Sequence, residues 1–294
     1  MQVGWMRVSE RRDQALTYAA TCQAVAQADS LGLHQIYLAG QMPDLLADLP
    51  RTNRVRIGLD LTAFAAKARD NTAEAIRAAH DRLDGRLVIG LMTGQTVEAR
   101  TMEEVFGAHM SDYPSAALYS DLPMEQPQPD VLSLPRPGTA PDLRTAVTNG
   151  LHVLSPAWNE RDQLARHWPD IVAGATHARR RARPLLWHVA RCIYVSSDRA
   201  QVDAYKAGPA KAYLRRAGVR TDRAASLVIA GSAQHVAEQV RDLRTHIGPF
   251  GTLHCIDPGL EPATAARQRE LLMTQVLPQL EGATPVASRQ LERT

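Results

Sequence analysis

The chain has 294 residues, 45% of them hydrophobic and 22% charged, with a formal net charge of +3. That is enough chain to bury a large core without staples, and its composition is that of a globular protein, not a disordered or fibrous one. The cysteines Cys22, Cys192 and Cys255 stand far apart with no C-x-x-C pair, which excludes a disulfide framework and fits a reducing cytoplasm.

The opening MQVGWMRV has no basic stretch ahead of an apolar core, and no apolar run reaches the length of a membrane span. Neither a signal peptide nor a membrane segment is expected.

In chain order, strand-like runs fall at Val3–Val8, Gln35–Ala39, Val55–Leu61, Leu87–Met92, Val131–Leu134, His152–Ser155, Leu185–Val195 and Thr252–Ile256. Helical patterns separate most of them. The first places Leu16, Ala19, Ala20, Ala24 and Ala28 near one face and stops at Gly32. Others cover Asn71 to Leu83, Asn159 to Arg181, Arg199 to Ala217, Gln234 to His246 and Ala263 to Leu280. Strands alternating with helices predict a parallel sheet, and eight such units predict closure into an (α/β)8 TIM barrel spanning residues 1–282. The proline-rich stretch Met110 to Asp130 is expected to be a loop, and residues 283–294 a flexible tail. The basic run HARRRARP, His177 to Pro184, has no interleaved aromatics and reads as a solvated helix end, not a nucleic-acid surface.

The segment RLDGRLVIGLMTG, Arg82 to Gly94, condenses this pattern: a helix closed at Asp84-Gly85, a buried strand, and a glycine at the end where barrels bind ligands. It resembles the corresponding segment of the bacterial-luciferase-like flavin monooxygenases. QADSLGLHQIYLAG, RTNRVRIGLDLTAF, HVARCIYVSSDRAQV, IAGSAQHVAEQVRDL and MTQVLPQL resemble other pieces of that family in the same order. The resemblance implies a barrel that binds FMN, reduced by a separate flavin reductase, or else the related deazaflavin coenzyme. It also implies a homodimer that oxidises a small organic molecule with O2. The departures are specific. Gly40-Gln41 stands where the family has Glu-His, Thr93 where it often has Arg, and the insertion after the fourth strand is shortened.

On this resemblance Thr62 and Ala63 lie against the flavin ring, with Thr93 and Gly94 near the same ligand. Arg136 could pair with its phosphate, while Gly138 and Thr139 offer N–H groups at a helix start. Trp158 would wall the flavin or the substrate. Gln41 occupies the place of the missing acid/base pair, and His109 is a replacement with a suitable pKa. Arg191 matches an arginine often seen in the seventh strand and joins Gln41 and His109 as a catalytic candidate, with a structural pair as the alternative. It lies three residues from His188, so the two point to opposite faces. Each position also has a plain reading as a strand end, a proline-rich turn, a rim cover or a solvated loop residue. The scattered histidines predict no metal site. Two other functions stay open: a deazaflavin-dependent oxidoreductase, and a barrel without flavin acting as a binding or accessory protein or as a cofactor-free enzyme.

Overall fold

The computed structural model describes residues 1–8, 18–39, 51–60, 78–92, 130–134 and 142–282. The chain runs β1 (Gln2–Val8), α1 (Tyr18–Ser30), β2 (Gln35–Ala39), β3 (Arg56–Asp60), β4 (Leu87–Met92), β5 (Asp130–Leu134), α2 (Leu143–Thr148) and β6 (His152–Ser155). It continues with α3 (Arg161–Ala165), α4 (His167–His177), β7 (Trp187–Val195), α5 (Arg199–Tyr205), α6 (Lys211–Arg216) and α7 (Thr221–Ala224). Last come β8 (Val228–Gly231), α8 (Ala233–Ile247), β9 (Thr252–Asp257), α9 (Pro262–Leu271) and α10 (Leu277–Glu281). Among the described residues no helix is long and apolar enough to cross a membrane.

All strand pairs are parallel, and eight strands close a ring in the order β1-β2-β3-β4-β5-β6-β7-β9. The expected barrel is present, and each expected strand lies on one of its staves. The ninth strand, β8, was not expected. It is only four residues long and merges into the cap of α8, where Ser232 accepts from His235 N–H. β8 pairs with Cys192–Val195, the last part of β7.

Two helices differ from the pattern for physical reasons. The expected helix from Asn159 to Arg181 breaks at Arg166 into α3 and α4. Pro169 lies four residues beyond Ala165, and in an unbroken helix its ring would strike that carbonyl. In α1 the buried residues are Thr21, Ala24, Val25 and Ala28, while Ala19 is exposed, so the packed face is rotated from the expected one. The glycine reading at the end of the helix before β4 holds: Asp84 and Gly85 both take positive φ, 46° and 77°.

Alternation sorts the strands into two faces. Trp5 lies beneath the Arg269 guanidinium of α9, which marks its face as the outer one. The inner face then carries Gly4, Gln35, Gly58, His188 and His254. Register sets Gly4 opposite both Gln35 and His254, and Leu154 opposite His188. His152, His188 and His254 form a ladder near the amino ends of adjacent strands. His152 Nδ1 lies 3.2 Å from His188 Nε2, and His188 Nδ1 lies 3.0 Å from His254 Nε2. A neutral imidazole donates once and accepts once. His254 Nδ1 is buried with no partner among the described residues, and a bare lone pair there costs less than an orphaned N–H. The protons therefore run from His254 Nε2 to His188, and from His188 Nε2 to His152.

The layer is tight. A Cβ on Gly4 would sit 2.6 Å from His254 Nδ1, and one on Gly58 would sit 2.2 Å from the Tyr37 ring. Tyr37 is fully buried and cannot swing to solvent. Gly58→Ala should destabilise the protein by about 1–3 kcal/mol, as overpacking does, measured by urea unfolding.

Burial pushes His188 well below its usual pKa, with the neighbouring histidines adding to the effect, and pushes His254 down to about 3. His167, on α4, is pushed down to about 4, by burial first. Between these values and about 6.5 the unfolded chain binds protons that the folded chain refuses, so stability rises with pH. It is complete above the unfolded value and declines as pH falls below it. Urea unfolding should show a loss of about 4 kcal/mol per pH unit near pH 5, since each such histidine contributes about 1.4. A flat profile there would contradict the buried ladder.

Candidate functional site

Strand β6 ends at Ser155, and the chain turns through Pro156, Ala157, Trp158 and Asn159 into α3. Asn159 N–H closes the turn on the Pro156 carbonyl at 3.2 Å. Arg191 holds this turn from the outer face of β7. Its Nη2 donates to Asn159 O at 3.0 Å, and its Nη1 to Ala190 O at 2.9 Å and to Pro156 O at 3.4 Å. The side chain is buried and its acceptors are all carbonyls, with no carboxylate among the described residues. Burial brings its pKa down to about 10, so it stays cationic at neutral pH. The result is a buried positive charge with no counter-charge among the described residues, directly behind the Trp158 turn.

A second relay lies beside it. Trp187 Nε1 donates to Ser155 Oγ at 2.8 Å, and Ser155 Oγ lies 2.6 Å from His167 Nδ1. The indole N–H donates, and the hydroxyl bridges it to the ring nitrogen of His167. Burial, and then the charge of Arg191, hold it neutral at about pKa 4. Trp187 is itself fixed by Trp168, stacked at 6.1 Å, and by the edge of Phe250 at 6.0 Å.

Trp158 and His167 both line a cavity of about 590 Å³, together with Asn159, Arg166, Arg220 and Arg223. That volume suits a small-molecule ligand. Glu160 and Asp170 also line it, and Glu160 is paired with Arg223 at 2.6 Å. The lining is thus net positive before the field of Arg191 is added. Asn159 Oδ1 is a buried acceptor with no partner among the described residues. The site offers a flat indole wall, guanidinium donors and a neutral imidazole, a set that favours an anionic or polar aromatic ligand.

Of the residues singled out from sequence, the structure therefore brings Trp158 and Arg191 to one turn. Gln41, Thr62, Ala63, Thr93 and Gly94 lie outside the described residues, as do His109, Arg136, Gly138 and Thr139. The insertion between β4 and β5 lies outside them as well. His188 and Arg191 fall on opposite faces, as their spacing requires. Sequence reasoning missed the trio of Ser155, His167 and Trp187. Its members are 12 and 32 residues apart, and no local motif joins them. Among the described residues no group of three or more His, Cys, Asp or Glu side chains is arranged to hold a metal ion.

Arg191→Met should cost about 2 kcal/mol or more, because it strips charged donors from buried carbonyls. It should also raise the His167 pKa by removing a neighbouring cation. Urea unfolding and NMR titration of the His167 ring check the two effects, and an unmoved His167 would contradict the assigned electrostatics.

No family model and no curated protein matches the chain. Solved structures do. The oxygenating constituent of 3,6-diketocamphane monooxygenase from the CAM plasmid of Pseudomonas putida, a type II Baeyer–Villiger monooxygenase in complex with FMN, aligns with a TM-score of 0.70 at 17% identity. The alignment covers 95% of this chain and 98% of that one. Monooxygenase RslO1 from Streptomyces bottropensis gives 0.70 at 18% identity, over 95% and 99% of the two chains. The coenzyme F420-dependent tetrahydromethanopterin reductase of Methanopyrus kandleri gives 0.62 at 15%, again over 95% and 99%. At these identities the likeness establishes the fold alone: a closed parallel (α/β)8 barrel.

Proposed function

We propose that the protein is a cytoplasmic oxidoreductase that uses reduced FMN, supplied by a separate reductase, to oxidise a small organic molecule with O2. What supports this reading most is the barrel itself, which aligns over almost its whole length with an FMN-bound monooxygenase. The described rim fits such a coenzyme chemically. A half-buried indole stands after β6, and the uncompensated charge of Arg191 favours an anion beside it.

When bound, the coenzyme supplies the two-electron redox chemistry. The residues of the chain do the rest. Trp158 forms a flat wall. Arg191 is a positioning residue that fixes the turn bearing Trp158. Thr62, Ala63, Thr93 and Gly94 are the proposed ring contacts, and Arg136, Gly138 and Thr139 the proposed phosphate contacts. Gln41 and His109 are the proposed proton-handling groups. The arginine-lined cavity beside Trp158 takes the polar or anionic end of the organic substrate, with the His167 ring in its wall. The assembled form in this reading is a homodimer.

A second reading, hydride transfer with a deazaflavin coenzyme, is favoured by the likeness to the coenzyme F420-dependent reductase. Titration of the purified protein with oxidised FMN, and anaerobically with reduced FMN, should give saturable binding. Trp158→Ala should weaken it about tenfold, the worth of one aromatic stacking contact. Binding of reduced deazaflavin alone, with anaerobic turnover, would select the second reading. No binding of any of the three at about tens of micromolar would overturn both.

A further inference from the structure

A different cavity, of about 400 Å³, lies outside the barrel wall between α1 and α9. Half of its lining is alanine: Ala20 and Ala24 from one helix, and Ala263, Ala265 and Ala266 from the other. Into this small-residue slot come two guanidinium groups, Arg7 from the outer face of β1 and Arg269 from α9. Both residues are more than nine-tenths buried, with 9% and 5% of their surface exposed.

Among the described residues the charges there do not balance. Arg7 Nη1 pairs with Asp257 Oδ2 at 3.1 Å. The other oxygen of Asp257 is already committed to the N–H groups of Gly259 and Leu260, at 3.0 and 2.8 Å. Arg269 Nε donates to the neutral amide of Gln27 at 2.8 Å, and its guanidinium lies over Trp5 at 5.4 Å. Its two terminal nitrogens make no hydrogen bond or ion pair among the described residues. Arg7 Nε is likewise buried without a partner there. Among the described residues two buried cations thus share one carboxylate. Burying a surplus charge is costly unless a counter-ion joins it. Planar guanidinium forks with free donors match an oxyanion in geometry as well as in charge.

We propose that this slot is a binding site for a small oxyanion, a phosphate or the carboxylate of an organic acid, held between Arg7 and Arg269. The alanine walls leave room for it, and the other acceptors in the lining, the amides of Gln23 and Gln27, are neutral. The site lies on the helix side of β1, separate from the turn that carries Trp158.

The test is thermal unfolding of the intact protein at constant ionic strength, with chloride replaced stepwise by phosphate in one arm and by acetate in the other. A saturable rise in Tm is expected in at least one arm, and the responding arm identifies the oxyanion. Arg269→Gln should weaken the response at least about tenfold by removing the guanidinium fork, whereas a response arising elsewhere would survive it. Gln23→Glu places a carboxylate at the slot with almost no change in shape, since Gln23 lines it. That variant should raise Tm without added anion and blunt the response, and it keeps the test decisive if Arg269→Gln fails to fold. A flat wild-type profile in both arms, or a response of equal size in both variants, would overturn the proposal.

Discussion

Strand β9 hydrogen-bonds on one edge to β1 and on the other to β7, and this closes the sheet. The other placements depend on that closure. A closed parallel ring has one inside and one outside, so a residue's parity along its strand fixes its surroundings. His188 and Arg191 share a strand, but one faces two imidazole-bearing neighbours and the other faces helices. Parallel direction also gathers every strand's carboxyl end on one side. There the turn after β6 can be gripped by a side chain from β7.

The charge distribution follows the same division. Inside, near the amino ends, burial keeps His188 and His254 neutral and joins them to His152. Outside, the barrel places arginines under the helices with fewer carboxylates, among the described residues, than they could use. Arg191 leans on carbonyls, and Arg7 and Arg269 share Asp257. Such an arrangement does little for stability, since buried ions rarely recover their desolvation cost. It does create fixed positive potential in dry surroundings, where potential acts most strongly on a ligand.

Much of the architecture was legible in the sequence, because periodicity reports burial directly. The eight staves, the Asp84-Gly85 stop and the opposite facing of His188 and Arg191 all follow from local pattern. Strand β8 was not legible: four residues running into a helix cap carry too little periodicity to separate strand from turn. The break at Arg166 was readable from Pro169, given attention to the carbonyl four residues earlier. The site was legible only in part. Trp158 and Arg191 could be named, but their contact depends on the bend after β6. The histidine ladder was hidden, because His152, His188 and His254 are scattered in sequence and meet only when the ring closes.

Strand β7 has nine residues, and Ile193–Val195 run past Cys192, the last residue joined to β9. Asp257 of β9 stands level with Ile193, so β7 outruns that neighbour by two residues, about 7 Å at about 3.3 Å each. β8 pairs with this extension. Backbone amides that rise past one stave are thereby taken up by a strand that is no stave, and the ring keeps its hydrogen bonds where its walls differ in height.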